Sequence, residues 1–557
     1  MVEAPITRTC DRFAAPLSLA LGLVLAATAQ PAAAIPLATY VEARAAQMEG
    51  DEVRSAQLFA EMAQADPADK TIARRAIATA IQSGQPELAL TLARKLSPNE
   101  LPIDARLLLA GDSLRRGKAK DAIELLEKGV TSTEVELFAP LVRAWELTRK
   151  GKADGAASLA ALPANSPLKP IADEQRAAML LQIGKVDEAL PVAQSVVERA
   201  GGRGTRLRLA YADALARQKR TDAAHAMLEG SDETLAMARG RLKAGKAIGM
   251  AISTPAEGYA EMLVALAVDL SRDDKRALPI SLTQVARHTN PGNSEATILL
   301  SLLLEGDGRL DDALALLSDI APDDLLAEEA LDVRTRLLGD RGRYDEALKL
   351  AWSAAQGTGA GAQDYTRLGN VFGDMDRHAE AASAYGEALA RAGSGSNDPI
   401  WTLHLLRAAS LEQANRWGDA KTELEAAMKL EPDNPLLLNF LGYGKLERGE
   451  DLDRAEAMIR RASALRPDDA SITDSLGWAL YKRGRLPESI ETLTRAAAGD
   501  PTQAEIHEHL GDALYSGGRR IEARFSWRAA LLNAEDKAKT RIQNKIDSGL
   551  TLATAAP

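Results

Sequence analysis

Apolar residues along this chain recur at helical spacing, in short runs broken by glycine and closed by proline. The stretch from Ala470 to Pro501 shows the unit. Leu476, Gly477 and Leu480 fall on a first run, Gly484 interrupts, Ser489, Leu493 and Ala496 fall on a second, and Pro501 follows. Offsets of three and four place each set on one face of an α-helix. Gly477 and Ser489 are small where two antiparallel helices would cross, so the backbones can approach closely. Leu476, Leu480 and Leu493 fill the space beside that crossing. Gly484 suits the left-handed residue that ends the first helix. Pro501 lacks a donor N–H and stops the second helix, and Pro432 and Pro467 repeat that stop.

The unit itself repeats. Gly369, Ala408, Gly442, Gly477 and Gly511 are separated by 39, 34, 35 and 34 residues. Ala381, Ala420, Ala455, Ser489 and Ala523 follow in step, as do Ala388, Ala427, Ala462, Ala496 and Ala530. A recurrence of about 34 residues with no strand signal predicts a helix-pair solenoid. The residue types at these offsets resemble the tetratricopeptide repeat (TPR) family, above all in the stretches beginning at Tyr365, Ser471 and Glu505. Two departures stand out: Arg407 sits where the family prefers Leu, and one extra residue is carried near Glu450–Asp451. The resemblance implies an all-α, right-handed superhelical solenoid of helix-turn-helix repeats whose first helices line a concave groove.

The N-terminal half keeps the same phase. Gly84, Gly117, Gly151 and Gly184 are each followed five residues on by Ala89, Ala122, Ala156 and Ala189, and Ala224 continues the series. Gly308 with Ala313 and Gly342 with Ala347 extend it. About 14 helix pairs are expected between Thr39 and Leu531. The phase is lost over 229–258, a Gly-rich stretch ending at Pro255, and the segment after it reads as an atypical helix pair. The expected division is therefore a signal peptide at 1–34, an N-terminal degenerate TPR-like arm at 35–228, an atypical helical joint at 229–292, a C-terminal TPR arm at 293–535, and a capping helix and tail at 536–557. Ala538, Ile542, Ile546 and Leu550 lie four apart among charged residues, the one-sided stripe that a solenoid cap requires. Gly- and Ser-rich stretches at 356–363 and 392–398 read as connectors.

A chain of 557 residues would otherwise suggest several globular domains, but a solenoid needs no such division. The net charge of −11 is dispersed and offers no basic stripe for nucleic acid. Near the start, Arg8 and Arg12 precede an apolar run from Phe13 to Ala29, and small residues precede Ala29 and Ala34 in the pattern of a cleavage site. The run contains Pro16 and Gly22 and is short for a membrane span. Cys10 lies before the run, not at its far end, so the lipoprotein pattern is not met. It is the sole cysteine, so cleavage would leave none for disulfides. Together these point to an exported, periplasmic protein that is not an integral membrane protein once the leader is removed.

Catalytic motifs are weak. Gly240 to Ala247 nearly matches a phosphate-binding loop, but Ala247 stands where a Ser or Thr should bind magnesium and no strand precedes it. The glycines of 357–361 lack a strand as well. His507 and His509 flank Glu508, yet residues two apart on a helix do not share a face, and no HExxH motif occurs. No enzyme activity, metal or cofactor is expected.

The binding candidate is a ladder on the first helices. Asn439, Asp474 and Glu508 stack at one offset of the repeat, Tyr443, Trp478 and Asp512 four residues later, and Leu446, Tyr481 and Tyr515 three after that. All nine share one helix face. Exposed rings would supply contact area and polar groups would orient a backbone, which makes a peptide-binding groove of Asn439, Tyr443, Asp474, Trp478, Tyr481, Glu508, Asp512 and Tyr515. The competing reading is that the rings pack between neighbouring helices. Of the 21 aromatic residues, 12 lie after Gly361, which also favours the C-terminal arm. The Lys/Asn/Arg arrangement by which some TPR proteins clamp a terminal carboxylate is not reproduced, and Arg367 and Asn370 alone do not make one. The expected function is a non-catalytic protein–protein interaction scaffold of the bacterial envelope that binds a protein or peptide in its groove. Two alternatives remain: a carbohydrate-binding or glycosyltransferase-associated module, and a cytoplasmic assembly factor.

Overall fold

The computed structural model describes residues 37–128, 138–166, 168–230, 232–272, 276–393, 399–551 and 553–556. The leader expected at 1–34 lies outside them. The described residues form thirty α-helices, numbered here α1–α30 in chain order, and no strand. Two compact units divide the chain, 1–105 and 106–557. In the first, α1 (Leu37–Met48) to α4 (Pro86–Ala93) make two helix pairs. These pairs bury Phe59, Met62, Ile77 and Leu90.

The pairing follows from the small residues. Ala381, Ala420, Ala455, Ser489 and Ala523 have no exposed surface, and neither do Ala388, Ala427, Ala462 and Ala530. A Cβ on Gly477, in α26 (Ala470–Lys482), would come within 2.6 Å of Leu493 in α27 (Leu486–Gly499). On Gly511, in α28 (Ala504–Ser516), it would lie 2.3 Å from Trp527 in α29 (Arg520–Asn533). Only glycine lets these helices cross at that distance. In the same repeats Ser489 Oγ donates to Gly477 O at 2.8 Å, so the one polar member of the alanine series is satisfied across the crossing.

Local chemistry sets the ends of the helices. Asp469 caps α26 by accepting the N–H of Ile472, and Asn434 caps α24 (Pro435–Glu447) by accepting that of Leu436. Among the described residues, the turn inside all but one of the pairs ends on a left-handed residue, Gly484 at φ +75° being typical. Lys219, Asp376 and Asn415 take that place at φ +58°, +57° and +59°. The second helix then opens on a recurring ion pair three residues apart, as in Arg485–Glu488 and Arg519–Glu522. The extra residue before α25 (Leu452–Leu465) is accommodated by Asp451, which is left-handed and accepts the N–H of Arg454. Arg407, the departure from the leucine pattern, pairs with Glu423 at 2.9 Å. Fourteen pairs are formed in all among the described residues, with α13 (Glu233–Lys243) between the sixth and seventh and α30 (Asp536–Ser548) after the last.

The segment expected as a joint is densely packed. In α14 (Pro255–Leu270) ten residues are buried, among them Tyr259, Glu261, Met262 and Leu263. It packs on α7 (Phe138–Arg149) and α9 (Lys169–Gln182). Tyr259 donates to Leu107 O at 3.1 Å and its ring meets Phe138 at 6.1 Å. Gly258 lies so close to Trp145 that a Cβ would be 2.0 Å from the indole nitrogen. Buried polar contacts tie Glu261 of α14 to further stretches of the chain: Arg203 reaches Glu261 at 2.8 Å and Glu295 at 3.1 Å, and Asn293 Nδ2 donates to Glu261 at 3.1 Å. Helices more than 100 residues apart in sequence thus share one core.

At the far end, α30 buries Ile542 and Ile546 against α29 and its neighbours. The helix stops at Ser548, and Leu550 packs on the same cluster from beyond its end.

Candidate functional site

The first helices α24, α26 and α28 carry the ladder. Its nine residues have different fates. Leu446 is core. Trp478 is 1% exposed, which corrects the expectation of an exposed ring. Its indole lies between His509, at 4.1 Å and 12°, and Tyr481, at 4.7 Å and 13°. Its N–H donates to Glu447 at 2.9 Å. Packing between neighbouring first helices, the competing reading of the sequence, is what this ring does. Tyr481 and Tyr515 are half-buried; the first shares a hydrogen bond with Ser516 at 3.0 Å, and the second tilts against Trp527 at 5.4 Å.

Glu508 and Asp512 are likewise not open to solvent. Lys545, from α30 and itself fully buried, donates to Glu508 at 2.6 Å and to both oxygens of Asp512 at 2.8 Å. Arg541 adds a bidentate pair to Glu508 at 2.9 and 2.8 Å. Burial raises the Glu508 carboxyl, but these two cations outweigh it and hold it below its usual range. Burial wins at Asp512, which is pushed up despite Lys545. Asp512 also accepts the indole N–H of Trp527 and the backbone N–H of Ala556, each at 2.9 Å. Gly549, at φ +87°, lets the chain turn under Tyr515, where a Cβ would meet the hydroxyl at 2.3 Å.

A second stretch of this chain is held in the same way. Asp213, six residues before the left-handed Lys219 as Asp512 is six before Gly518, accepts the backbone N–H groups of Met250 and Ala251 at 3.0 and 2.9 Å. Arg206 donates to Met250 O at 2.8 Å. Ile248 and Ile252 bury their side chains on either side. An irregular stretch at 246–253 therefore lies along α11 (Gly204–Arg217) with its amides read by an aspartate and its alternate apolar residues seated.

What remains open is a cleft of about 220 Å³ between α24, α26 and the start of α28. Asn439, Phe440, Tyr443, Ser471, Asp474, Ser475, Gln503 and Glu505 line it. Three of the eight groove residues named from the sequence fall here: Asn439, Tyr443 and Asp474. The other lining residues went unnamed, although Ser471 and Glu505 share one repeat offset and Phe440 and Ser475 another, both on the same helix face. Asp474 is 6% exposed, and its Oδ2 pairs with His509 Nδ1 at 2.8 Å. Its Oδ1 and the buried Oδ1 of Asn439 have no hydrogen-bond partner among the described residues. Burial, with Glu447 and Glu505 next, raises the Tyr443 hydroxyl far above its ordinary value. That phenol stays a neutral donor.

A larger cleft, about 640 Å³, is lined by Asp332, Arg336, Asp340, Arg367, Asn370 and Asp374 among others. Most of its charges are paired: Arg367 bridges Asp332, Glu328 and Asp364, and Arg336 pairs with Asp340. No group of His, Cys, Asp and Glu side chains among the described residues is placed to hold a metal ion. No helix among them is long and apolar enough to cross a membrane.

Two family models match the chain, one described as TPR repeat over 477–518 and one as tetratricopeptide repeat over 179–229 and 366–435. The chain carries tetratricopeptide repeats. The matched segments include the end of α26, all of α28 and the α11 repeat, so both the open cleft and the self-bound stretch abut them. No curated protein matches the sequence. Among solved structures, the APC/C hetero-tetramer Cut9-Hcn1 is similar at 15% identity, over 92% of this chain and 96% of that one, with a TM-score of 0.37. A tetratricopeptide repeat protein from Parabacteroides merdae is 15% identical over 46% of this chain and 98% of its own, also with a TM-score of 0.37. MamA from Desulfovibrio magneticus is 20% identical over 31% and 94%, with a TM-score of 0.27.

Proposed function

We propose that this TPR protein is a non-catalytic interaction scaffold and that it binds an extended peptide segment of a protein partner across α24, α26 and α28. The observation that carries the reading is the pair of unsatisfied oxygens, Asn439 Oδ1 and Asp474 Oδ1, in an open cleft. Leaving a buried acceptor without a donor costs about 1–3 kcal/mol, and a peptide N–H removes that cost. The chain's own stretches at 246–253 and at Ala556 supply the precedent, because aspartates on first helices hold their backbone amides. Tyr443 and Phe440 add half-buried ring surface beside the acceptors.

The test is retention of a panel of end-blocked, extended peptides by the immobilised full chain and by an Asn439→Arg variant. The reading expects a subset of peptides to bind and the variant, which fills the cleft, to lose about tenfold or more in affinity. Equal binding by both proteins would move the site elsewhere.

The proposed setting is the bacterial periplasm. Its support is the Arg8/Arg12 pair, the apolar run to Ala29 and the small residues before Ala29 and Ala34. The mass of the protein recovered from the envelope fraction tests this: loss of the first 29 or 34 residues is expected, and an intact N-terminus on cytoplasmic protein would contradict it.

A further inference from the structure

The chemistry of the cleft goes further than a peptide backbone. We infer that the cleft between α24 and α26 takes a cationic side chain of the partner, the ammonium of a lysine or the guanidinium of an arginine. The inference rests on the peptide-binding reading above.

The last repeat supplies the template. Glu508, Asp474 and Asn439 occupy the same place in three successive repeats, each ten residues before the left-handed turn residue, Gly518, Gly484 or Gly449. At Glu508 the chain provides its own cations, Lys545 and Arg541. At Asp474 it provides only His509, which engages one oxygen and leaves Oδ1 bare. At Asn439 the amide oxygen is bare as well.

No Lys or Arg among the described residues lines the cleft. The acids around it that do have basic partners point elsewhere: Glu447 pairs with Lys482, and Glu412 with Arg448. Glu505 stands at the mouth, 57% exposed, and its closest basic contact among the described residues is His509 at 4.0 Å. Partial burial and the neighbouring Asp474, Glu508 and Glu447 push its carboxyl above the usual range, against the pull of His509. Negative charge is therefore in excess, and an arriving cation relieves it. The Tyr443 ring lines the same space and offers a π-face to that cation. A volume of about 220 Å³ suits one long side chain and not a folded element. A desolvated charge pair of this kind fixes register along a peptide as well as strengthening binding.

The experiment uses a positional-scanning library of short peptides, N-acetylated and C-amidated so that side chains are the only cations, on the immobilised full chain. Lys or Arg is expected to be enriched at one position and Asp or Glu excluded there. Which of the two prevails separates ammonium from guanidinium. Replacing that residue by norleucine or citrulline should weaken binding about tenfold. Glu505→Gln, at an exposed site that leaves packing intact, and Asn439→Leu should each shrink the preference while other positions keep theirs. Peptides that bind without a basic preference overturn this inference and leave the peptide-binding reading standing. A basic preference unchanged in both variants places the cation elsewhere and also overturns it. Retention of no peptide overturns both readings.

Discussion

Lys545 places its ammonium 2.8 Å from each carboxylate oxygen of Asp512, and neither side chain has any exposed surface. The pair ties the capping helix α30 to the first helix of the last repeat. It also completes the seat of Ala556 on Asp512. Removing one member of a buried pair leaves the other uncompensated, at a cost of about 3–5 kcal/mol. Lys545→Ala should therefore release α30 and the segment beyond it. Amide exchange is expected to rise across 504–556 and stay unchanged in the repeats before α26, because each repeat rests on its neighbours.

The glycine crossings set a second expectation. Gly477→Leu must push Leu493 aside, where even a Cβ would come within 2.6 Å. Overpacking costs about 1–3 kcal/mol. Denaturant unfolding of the variant should show that loss, and amide exchange should place it in α26 and α27. Unchanged protection there would contradict the observed crossing.

A gain is expected at Lys219. Its φ of +58° is the left-handed conformation that glycine holds in most repeats. A non-glycine residue there costs about 1–2 kcal/mol, and glycine returns part of that to the unfolded chain as entropy. Lys219→Gly should stabilise the protein by somewhat under 1 kcal/mol, read as a small rise in melting temperature.

The fold was legible because its causes are local. Most crossings use a small residue at a fixed place and most turns a left-handed one, so the period survives in the sequence. The site was legible only in part. Offsets three and four apart put Trp478 on the right face, but they cannot tell a ring that points at solvent from one that stacks on the next helix. His509, the residue that buries it, sits one repeat away and off the ladder. The tight packing of α14 was invisible for a related reason. Its partners, Trp145, Phe138 and Leu107 among them, lie more than a hundred residues away in sequence and follow no repeat offset. Loss of phase over 229–258 reads as a joint in the sequence, and in the structure part of that stretch, 246–253, lies along α11.

His509 gives the protein a pH dependence. Burial alone would lower its pKa, but Asp474, then Glu505 and Asp512, raise it above the ordinary value. The folded state therefore binds the proton more tightly than the unfolded chain, whose histidine titrates near about 6.5. The stabilisation is complete below about pH 6.5 and is lost as the pH rises through the higher folded value. Unfolding free energy measured from pH 6 to pH 9 should fall across that window, and His509→Gln should flatten the fall. The raised carboxyls of Glu505 and Asp512 act in the same sense but from the acid side.

The central claim is that a peptide lies across α24 and α26. A photoreactive benzoylphenylalanine in place of Phe440, which lines the cleft, tests it most directly. A second copy carries the label at Trp352, exposed by 45% on a second helix, Tyr344–Ala355. With an end-blocked peptide retained from the panel, cross-linking is expected from position 440 and not from 352. Capture from 352 with none from 440 would contradict the account.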